Sequence, residues 1–433
     1  MSRWQALAVL SVGTLMIIID QTIVSVALPA IRADLGFSAA GLAWVVNAYV
    51  IPFGGLLLLA GRLGDLLGRK RMFGAGMVVF TVASLLCGLA PSAELLVAAR
   101  FLQGIGGAMV SGVALGMVVA LFPTPAERAR ALGVYSFVQA SGGSIGSLLG
   151  GVITQAVSWP WVFYLNLPIG VVAVFLATRL AGDRGTGGSA DTVGGVLATA
   201  GLMLGVYAIV NEVWVAGLAA VVSLAAFVWR ESRVAAPLLP LRTFRSVAGV
   251  NAVLALLTAA MFSFLFFVVL YLVSLGYSPL ATGLAMVPVA VAIGVVSLLF
   301  SARLNGRFGE RPVLLTGLAL IVLGLAMVAF APGGWVGPAT VVLGVGFGAA
   351  MPALMALGMA SATAGDAVLL SGGFNTRQQI GGALGLAVVV AVTAGYGQAF
   401  TLAAALVVAA AITAAAVLRP APAPSESDGV VMA

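Results

Sequence analysis

Charge is the scarcest resource of this 433-residue chain. Asp, Glu, Lys and Arg together make up 8% of it, where a soluble protein carries about 25%. Histidine is absent altogether, which excludes histidine metal sites, histidine general bases and Ser-His-Asp triads. Cys87 is the single cysteine, so there is no intrachain disulfide and no thiolate metal cluster. Lysine occurs once, at Lys70. What fills the chain instead is apolar: 62% hydrophobic residues and a mean hydropathy of +1.18. So little polar surface cannot cover a globule in water, and the bilayer is the expected solvent. The net charge of +7 does not imply a nucleic-acid partner, because the basic residues stand in short segments between apolar runs.

A membrane-spanning helix needs about 20 apolar residues. Reading runs between charges and turn residues gives fourteen spans, at 5–29, 42–61, 73–90, 94–122, 131–157, 162–180, 193–210, 214–230, 247–275, 281–301, 313–331, 337–360, 368–396 and 399–418. The first run is too long for the core of a signal peptide and is read as a retained span. The pair at 193–230 is the least distinct, with a re-entrant hairpin as its alternative. With the N-terminus inside, every Lys and Arg except Arg32 and Arg100 is expected in a cytoplasmic segment, as the positive-inside rule demands. Both termini are then cytoplasmic. The expectation is an all-α polytopic membrane protein in a 6+2+6 plan: a six-helix bundle over 1–180, two additional spans with flanking linkers over 181–246, a second six-helix bundle over 247–418, and a low-complexity tail at 419–433. The stretch "GRLGDLLGRK" (61–70) aligns without gaps to "ARLNGRFGER" (302–311). Each follows the second helix of its block, which suggests two halves related by duplication with a substrate site between them.

Within "LMIIIDQTIVSVALP" (15–29) stands one carboxylate, Asp20. A charge at the centre of a membrane helix costs a few kcal/mol even on insertion scales and normally pairs or lines a cavity. Arg100 lies at a similar depth and heads a stripe of small residues, Gly104, Ala108, Gly112 and Gly116, that would hold its guanidinium inside the protein. In 61–70, Gly61, Gly64 and Gly68 permit tight turns and close approach, Arg69 and Lys70 anchor the segment to the cytoplasmic face, and Asp65 needs a partner, either a helix N-terminus or an arginine. Gly142, Gly146 and Gly150 fall on one helical stripe flanked by Gly143, Ser147 and Gly151, a pattern for close helix packing or for a moving seam.

These stretches resemble signatures of the major facilitator superfamily. The 61–70 segment is similar to its loop motif. "DQTIVSVALP" (20–29), "RFLQGIGGA" (100–108), "WPWVFYLNLPIG" (159–170), "PLLPLRTF" (237–244) and "FNTRQQIGGALG" (374–385) resemble motifs of its fourteen-helix drug:proton antiporter family. One departure stands out. The fifth-helix motif of that family reads Gly-Pro-x-x-Gly-Gly, whereas this chain has "GSLLGG" (146–151), with Ser147 at the proline position.

The resemblance implies alternating access in a multi-pass transporter of the bacterial cytoplasmic membrane, exporting small lipophilic compounds such as drugs or antibiotics in exchange for protons. No catalysis, metal or organic cofactor is expected, and the transporter is expected to be a monomer. Asp20 is the expected proton carrier, with Arg100 tuning it or competing with the proton; a purely structural ion pair is the alternative. Polar and aromatic residues within spans are the cavity candidates: Gln21, Asn47, Tyr49, Gln103, Gln139, Asn251, Phe262, Phe266, Tyr271, Asn375 and Gln379. Symport or facilitated transport of a metabolite on the same scaffold is the alternative activity, and a non-transporting sensor a remote one.

Overall fold

In the computed structural model, residues 1–180, 185, 190–234, 248–330, 335–359 and 367–418 are described. "PLLPLRTF" and the tail lie outside them, as does most of each linker. Among the described residues every regular element is helical. The helices are α1 (Arg3–Leu35), α2 (Ala39–Leu67), α3 (Arg69–Gly88), α4 (Ala93–Leu121), α5 (Pro125–Ala156), α6 (Trp161–Tyr164), α7 (Asn166–Ala177), α8 (Thr192–Asn211) and α9 (Trp214–Glu231). After the second linker come α10 (Ala248–Ser274), α11 (Pro279–Val295), a π-helical turn (Val296–Phe300), α12 (Ser301–Phe308), α13 (Glu310–Phe330), α14 (Val336–Met359), α15 (Ala367–Val392) and α16 (Tyr396–Val417).

Eleven described helices have the length and hydropathy to cross a membrane. Serine starts several of them: Ser2, Ser38, Ser92 and Ser278 each accept a backbone N–H of the first turn, which satisfies a donor the helix leaves free. The ends are sharp where glycine takes the left-handed region. Gly68 (φ +103°) separates α2 from α3, and Gly309 (φ +82°) separates α12 from α13. The aligned segments 61–70 and 302–311 therefore share a hinge glycine at the same register.

Several helices differ from the apolar runs. The segment 61–70 is not an open loop. α2 continues to Leu67, only Gly68 breaks the helix, and Asp65 of α2 pairs with Arg69 of α3 across that break at 2.8 Å. The 162–180 run is divided at Leu165 into α6 and α7. The 281–301 run extends to Phe308 through the π turn, a local underwinding common at functional positions. The 193–230 run forms two helices, α8 and α9, of 20 and 18 residues, each about 27–30 Å long. Arg377 stands well inside α15, so Arg100 is not alone among intramembrane arginines; a rule that scores loops does not detect a cation placed on a helix.

Two groups of helices pack around their own cores. One core joins Leu10, Met16, Tyr49, Phe73, Phe80 and Val113, and another joins Leu254, Phe264, Leu314, Ile321, Leu343 and Phe400. The end at which α1 begins is the basal end. There Trp4 packs on Phe122 and Lys70 donates to the Thr178 carbonyl at 2.7 Å. At the opposite, distal end Trp159 donates to Asp34 at 2.7 Å and Tyr164 to the Gly88 carbonyl at 2.7 Å. The groups meet along two seams, α2 against α15 and α5 against α11. α8 lies across the first seam, touching both α2 and α15, with Leu202 and Val206 in one cluster with Ala383 and Ala387.

Candidate functional site

Asp20 and Arg100 meet. Arg100 Nη1 lies 2.6 Å from Asp20 Oδ2, and the two side chains are 2% and 0% exposed. α1 runs through Pro29 to Leu35, which sets Asp20 near the middle of the helix. α4 carries Arg100 two turns from its start, capped by Ser92. The Arg100 stem extends so that Nε donates to the Val45 carbonyl at 3.0 Å and the guanidinium stacks over the Tyr49 ring at 4.3 Å, with Phe163 at 5.8 Å. Aromatic faces in a dry interior favour the cation.

Three further side chains complete the centre. Gln103 accepts from Arg100 Nη1 at 2.6 Å and donates to Asp20 Oδ1 at 2.8 Å. Asn166, the first residue of α7, donates to the same Oδ1 at 2.8 Å. Ser84 accepts from Gln103 at 2.8 Å and donates to the Phe80 carbonyl at 2.8 Å. The carboxylate thus receives three donors from two helices, and every partner is buried. A buried charge with full hydrogen bonding escapes most of its desolvation penalty. Oδ2 thus accepts from Arg100 and Oδ1 from Gln103 and Asn166, so both carboxylate oxygens are engaged by buried donors.

Ser84 and Asn166 were not among the candidates drawn from sequence. Asn166 could have been found: it sits in "WPWVFYLNLPIG", and the break after Leu165 turns its amide inward. Ser84 gives no such signal.

The remaining candidates are distributed. Gln21 is half-buried and faces the Tyr49 hydroxyl. Asn47 and Asn251 are buried, with no hydrogen-bond partner on either amide atom among the described residues. Phe262 packs on Gly382, and Phe266 stacks edge-on with Phe267 at 5.2 Å. Gln379 closes on Gly54 across the α2–α15 seam. Tyr271 packs between Tyr396 and Phe400 at 5.6 and 5.8 Å, within its own group of helices. Gln139 is half-buried and Asn375 exposed.

At the basal end Arg69 bonds both Asp65 and the Gly116 carbonyl, at 2.8 and 3.2 Å, tying the α2–α3 turn to α4. Gly61 allows α2 to cross α4 closely: a Cβ there would sit 3.1 Å from the Gly112 carbonyl oxygen. The glycines of α5 divide between two partners. Gly142, Gly146 and Gly150 lie on α1, against Ile18, Thr22 and the Ile23 carbonyl, whereas Gly151 faces the Pro279 carbonyl of α11. Ser147 back-bonds to the Gly143 carbonyl at 3.0 Å, and α5 is a continuous helix through it.

Residues 10–386 match the family model of the Major Facilitator Superfamily, and the chain belongs to that family. It is 36% identical over 421 residues to the puromycin resistance protein pur8 of Streptomyces alboniger, a match covering 92% of this chain and 83% of that protein. It is 38% identical over 462 residues to the cephamycin export protein CmcT of Amycolatopsis lactamdurans, covering 98% and 94%. In fold it resembles the human organic anion transporter MFSD10, with a TM-score of 0.67 over 95% of this chain and 99% of that one at 14% identity. The chain is therefore a multi-pass membrane transporter and not an enzyme, and its bacterial relatives agree with the bacterial membrane expected from sequence.

Proposed function

We propose that this transporter exports small lipophilic compounds of drug or antibiotic type in exchange for protons, by alternating access. Relatives named for resistance and export support the cargo class. The sealed network around Asp20 carries the coupling: one intramembrane carboxylate for which a proton and Arg100 compete. Proton entry releases Arg100 from Asp20, and the freed guanidinium, held by Val45, Gln103 and Tyr49, transmits the change to α2 and α4. A ligand or proton shifts a conformational equilibrium only if it binds the two states differently, and a group with competing partners provides that difference. The potential adds about 2.3 kcal/mol per charge per 100 mV.

The full arrangement in this reading is fourteen spans, six, two and six, with both termini cytoplasmic and the protein acting as a monomer. The contacts between the helix groups run from mid-depth, Gly54 on Gln379 and Gly143 beside Ala290, to the distal end, where Gln155 accepts the Leu280 N–H at 3.0 Å. Towards the basal end Gly133 and Gly294 have no neighbour within 4 Å of a Cβ position. With the basal end cytoplasmic, this pattern among the described residues supports an inward-facing form.

Everted vesicles carrying Asp20→Asn test the coupling. Acidifying the lumen is expected to drive substrate accumulation by the wild type and, at least about tenfold more weakly, by the variant, while gradient-free exchange of labelled for unlabelled substrate persists. Undiminished gradient-driven accumulation by Asp20→Asn would refute the role.

A further inference from the structure

The proton centre does not use the other end of the helix pair that builds it. α1 carries Asp20 and α7 begins with Asn166, which donates to it. About 22 Å away, fifteen residues back along α1, the same two helices part to leave a groove of about 570 Å³ at the basal end, lined by Gln5, Val9, Val12, Val172, Leu176 and Arg179. Its walls open to the outside of the bundle, with Val12 and Val172 42% and 57% exposed, and in a membrane protein the outside at this depth is lipid.

The chemistry changes along the groove. The deeper part is aliphatic. The rim carries Arg179, exposed, stacked over Phe175 at 4.8 Å, with no carboxylate paired to it among the described residues. Opposite stands Gln5, whose Oε1 accepts the Ser2 N–H at 2.9 Å, which leaves its amide hydrogens to donate. Among the described residues no acid lines the groove. Trp4, 42% exposed, with Arg130 over its ring at 5.3 Å, marks this level as the headgroup region, where tryptophan and arginine collect. A soluble anion has no use for the aliphatic wall, and a neutral lipophile has none for an unpaired guanidinium.

We infer that this groove binds one anionic glycerophospholipid of the leaflet at the basal end, its phosphate on Arg179 and the Gln5 amide and one acyl chain along Val9, Val12 and Val172. The bound lipid clamps α1 to α7 below the proton centre. The inference rests on the membrane orientation of the basal end and not on proton coupling, so it stands or falls separately from the Asp20 result.

Native mass spectrometry of the purified full-length chain, titrated with phosphatidylglycerol or with phosphatidylcholine of the same acyl chains, tests it. A basic residue at the membrane surface gives about fivefold in affinity for an anionic lipid. Phosphatidylglycerol is expected to bind about fivefold more tightly than phosphatidylcholine. Arg179→Gln removes that preference, Arg179→Lys keeps most of it, and Val12→Trp, which fills the aliphatic wall, weakens both lipids. Arg179 and Val12 are exposed, so these variants leave the fold intact. An unchanged preference in Arg179→Gln overturns the site, as does unchanged binding in Val12→Trp. Displacement of phosphatidylglycerol by excess inorganic phosphate would reveal a plain anion site and overturn the lipid assignment.

Discussion

The two seams between the helix groups are built differently. Along α5 and α11 backbone meets backbone: a Cβ on Gly151 would lie 2.7 Å from the Pro279 carbonyl oxygen, and one on Gly283 2.6 Å from that of Ser147. That contact is tight distally and ends near Gly143 and Ala290, beyond which Gly294 has open space and the helix winds into its π turn. Along α2 and α15 the contact is made by side chains, Gln379 on Gly54, and a third element covers it, since α8 packs on α2 through Thr199 at Gly55 and Leu59 at Gly195. α9 touches α8 and turns Leu218, Val221 and Val222 outward, 59–65% exposed. The extra helix pair therefore straps one seam and leaves the other bare. Under the proposed alternating access, rocking at the bare seam would pivot on a glycine contact, and at the strapped seam α15 would slide along α8.

The largest effect is expected where backbone leaves no room. Gly151→Leu forces a side chain against Pro279 and Leu280 backbone, which cannot rotate aside, and such overpacking costs about 1–3 kcal/mol. Gly294→Leu, on the same seam with nothing within 4 Å, is expected to retain both thermal stability and export. Equal losses in the two variants would remove the contrast between the closed and open ends of the bare seam.

A smaller effect is expected at the strap. A Cβ on Gly55 meets Thr199 Oγ1 at 2.6 Å and the Thr199 Cα at 3.5 Å. The hydroxyl, bonded to the Gly195 carbonyl at 2.9 Å, can turn away at the loss of one hydrogen bond, about 1 kcal/mol. Gly55→Ala is therefore expected to destabilise by about that amount, and Gly55→Ala with Thr199→Ala to recover most of it. Thermal unfolding in detergent of the single and double variants measures the coupling; additive losses would mean that α8 does not bear on α2 at this point.

This contrast marks what was legible in the sequence. Among the described residues each apolar run lies on one helix or, at 162–180 and 281–301, on successive helical elements, because each crossing must satisfy its own backbone and so writes a long hydrophobic stretch. Asp20 and Arg100 were legible because charge is expensive in lipid. Gly151 was visible as a small residue but not as a seam residue: stripes on α1 and on α11 look alike in one dimension, and only packing separates Gly150, on Ile23, from Gly151, on Pro279. Ser84 was hidden because a single hydroxyl costs little on a helix and leaves no periodic trace, whereas Asn166 stood in the open, inside the motif at 159–170. The position of α8 across one seam was likewise beyond reach, since nothing in 193–210 records which neighbours cover it. Arg377 escaped because a rule that scores loops takes every cation to a segment between runs, although this one lies inside 368–396.

The smallest effect is expected of one substitution at the foot of the strap, Asp191→Asn. Asp191 caps α8 through the Gly194 N–H at 2.9 Å and pairs with Arg230 of α9 at 2.6 Å. Its side chain is fully buried, whereas that of Arg230 is 36% exposed, and the two ends of this pair are therefore not equivalent. Asp191→Asn keeps an oxygen to accept from Gly194, since asparagine caps as well as aspartate, and it loses attraction only to a cation that water already screens, about 1 kcal/mol or less. Arg230→Gln removes the same ion pair but strands a buried carboxylate, which costs more than the pair contributes. The expected order of thermal destabilisation is Arg230→Gln above Asp191→Asn, with export intact in the latter. The reverse order would mean that the charge of Asp191 is neutralised by something other than Arg230, and that the hairpin is held to the bundle by α8 packing alone.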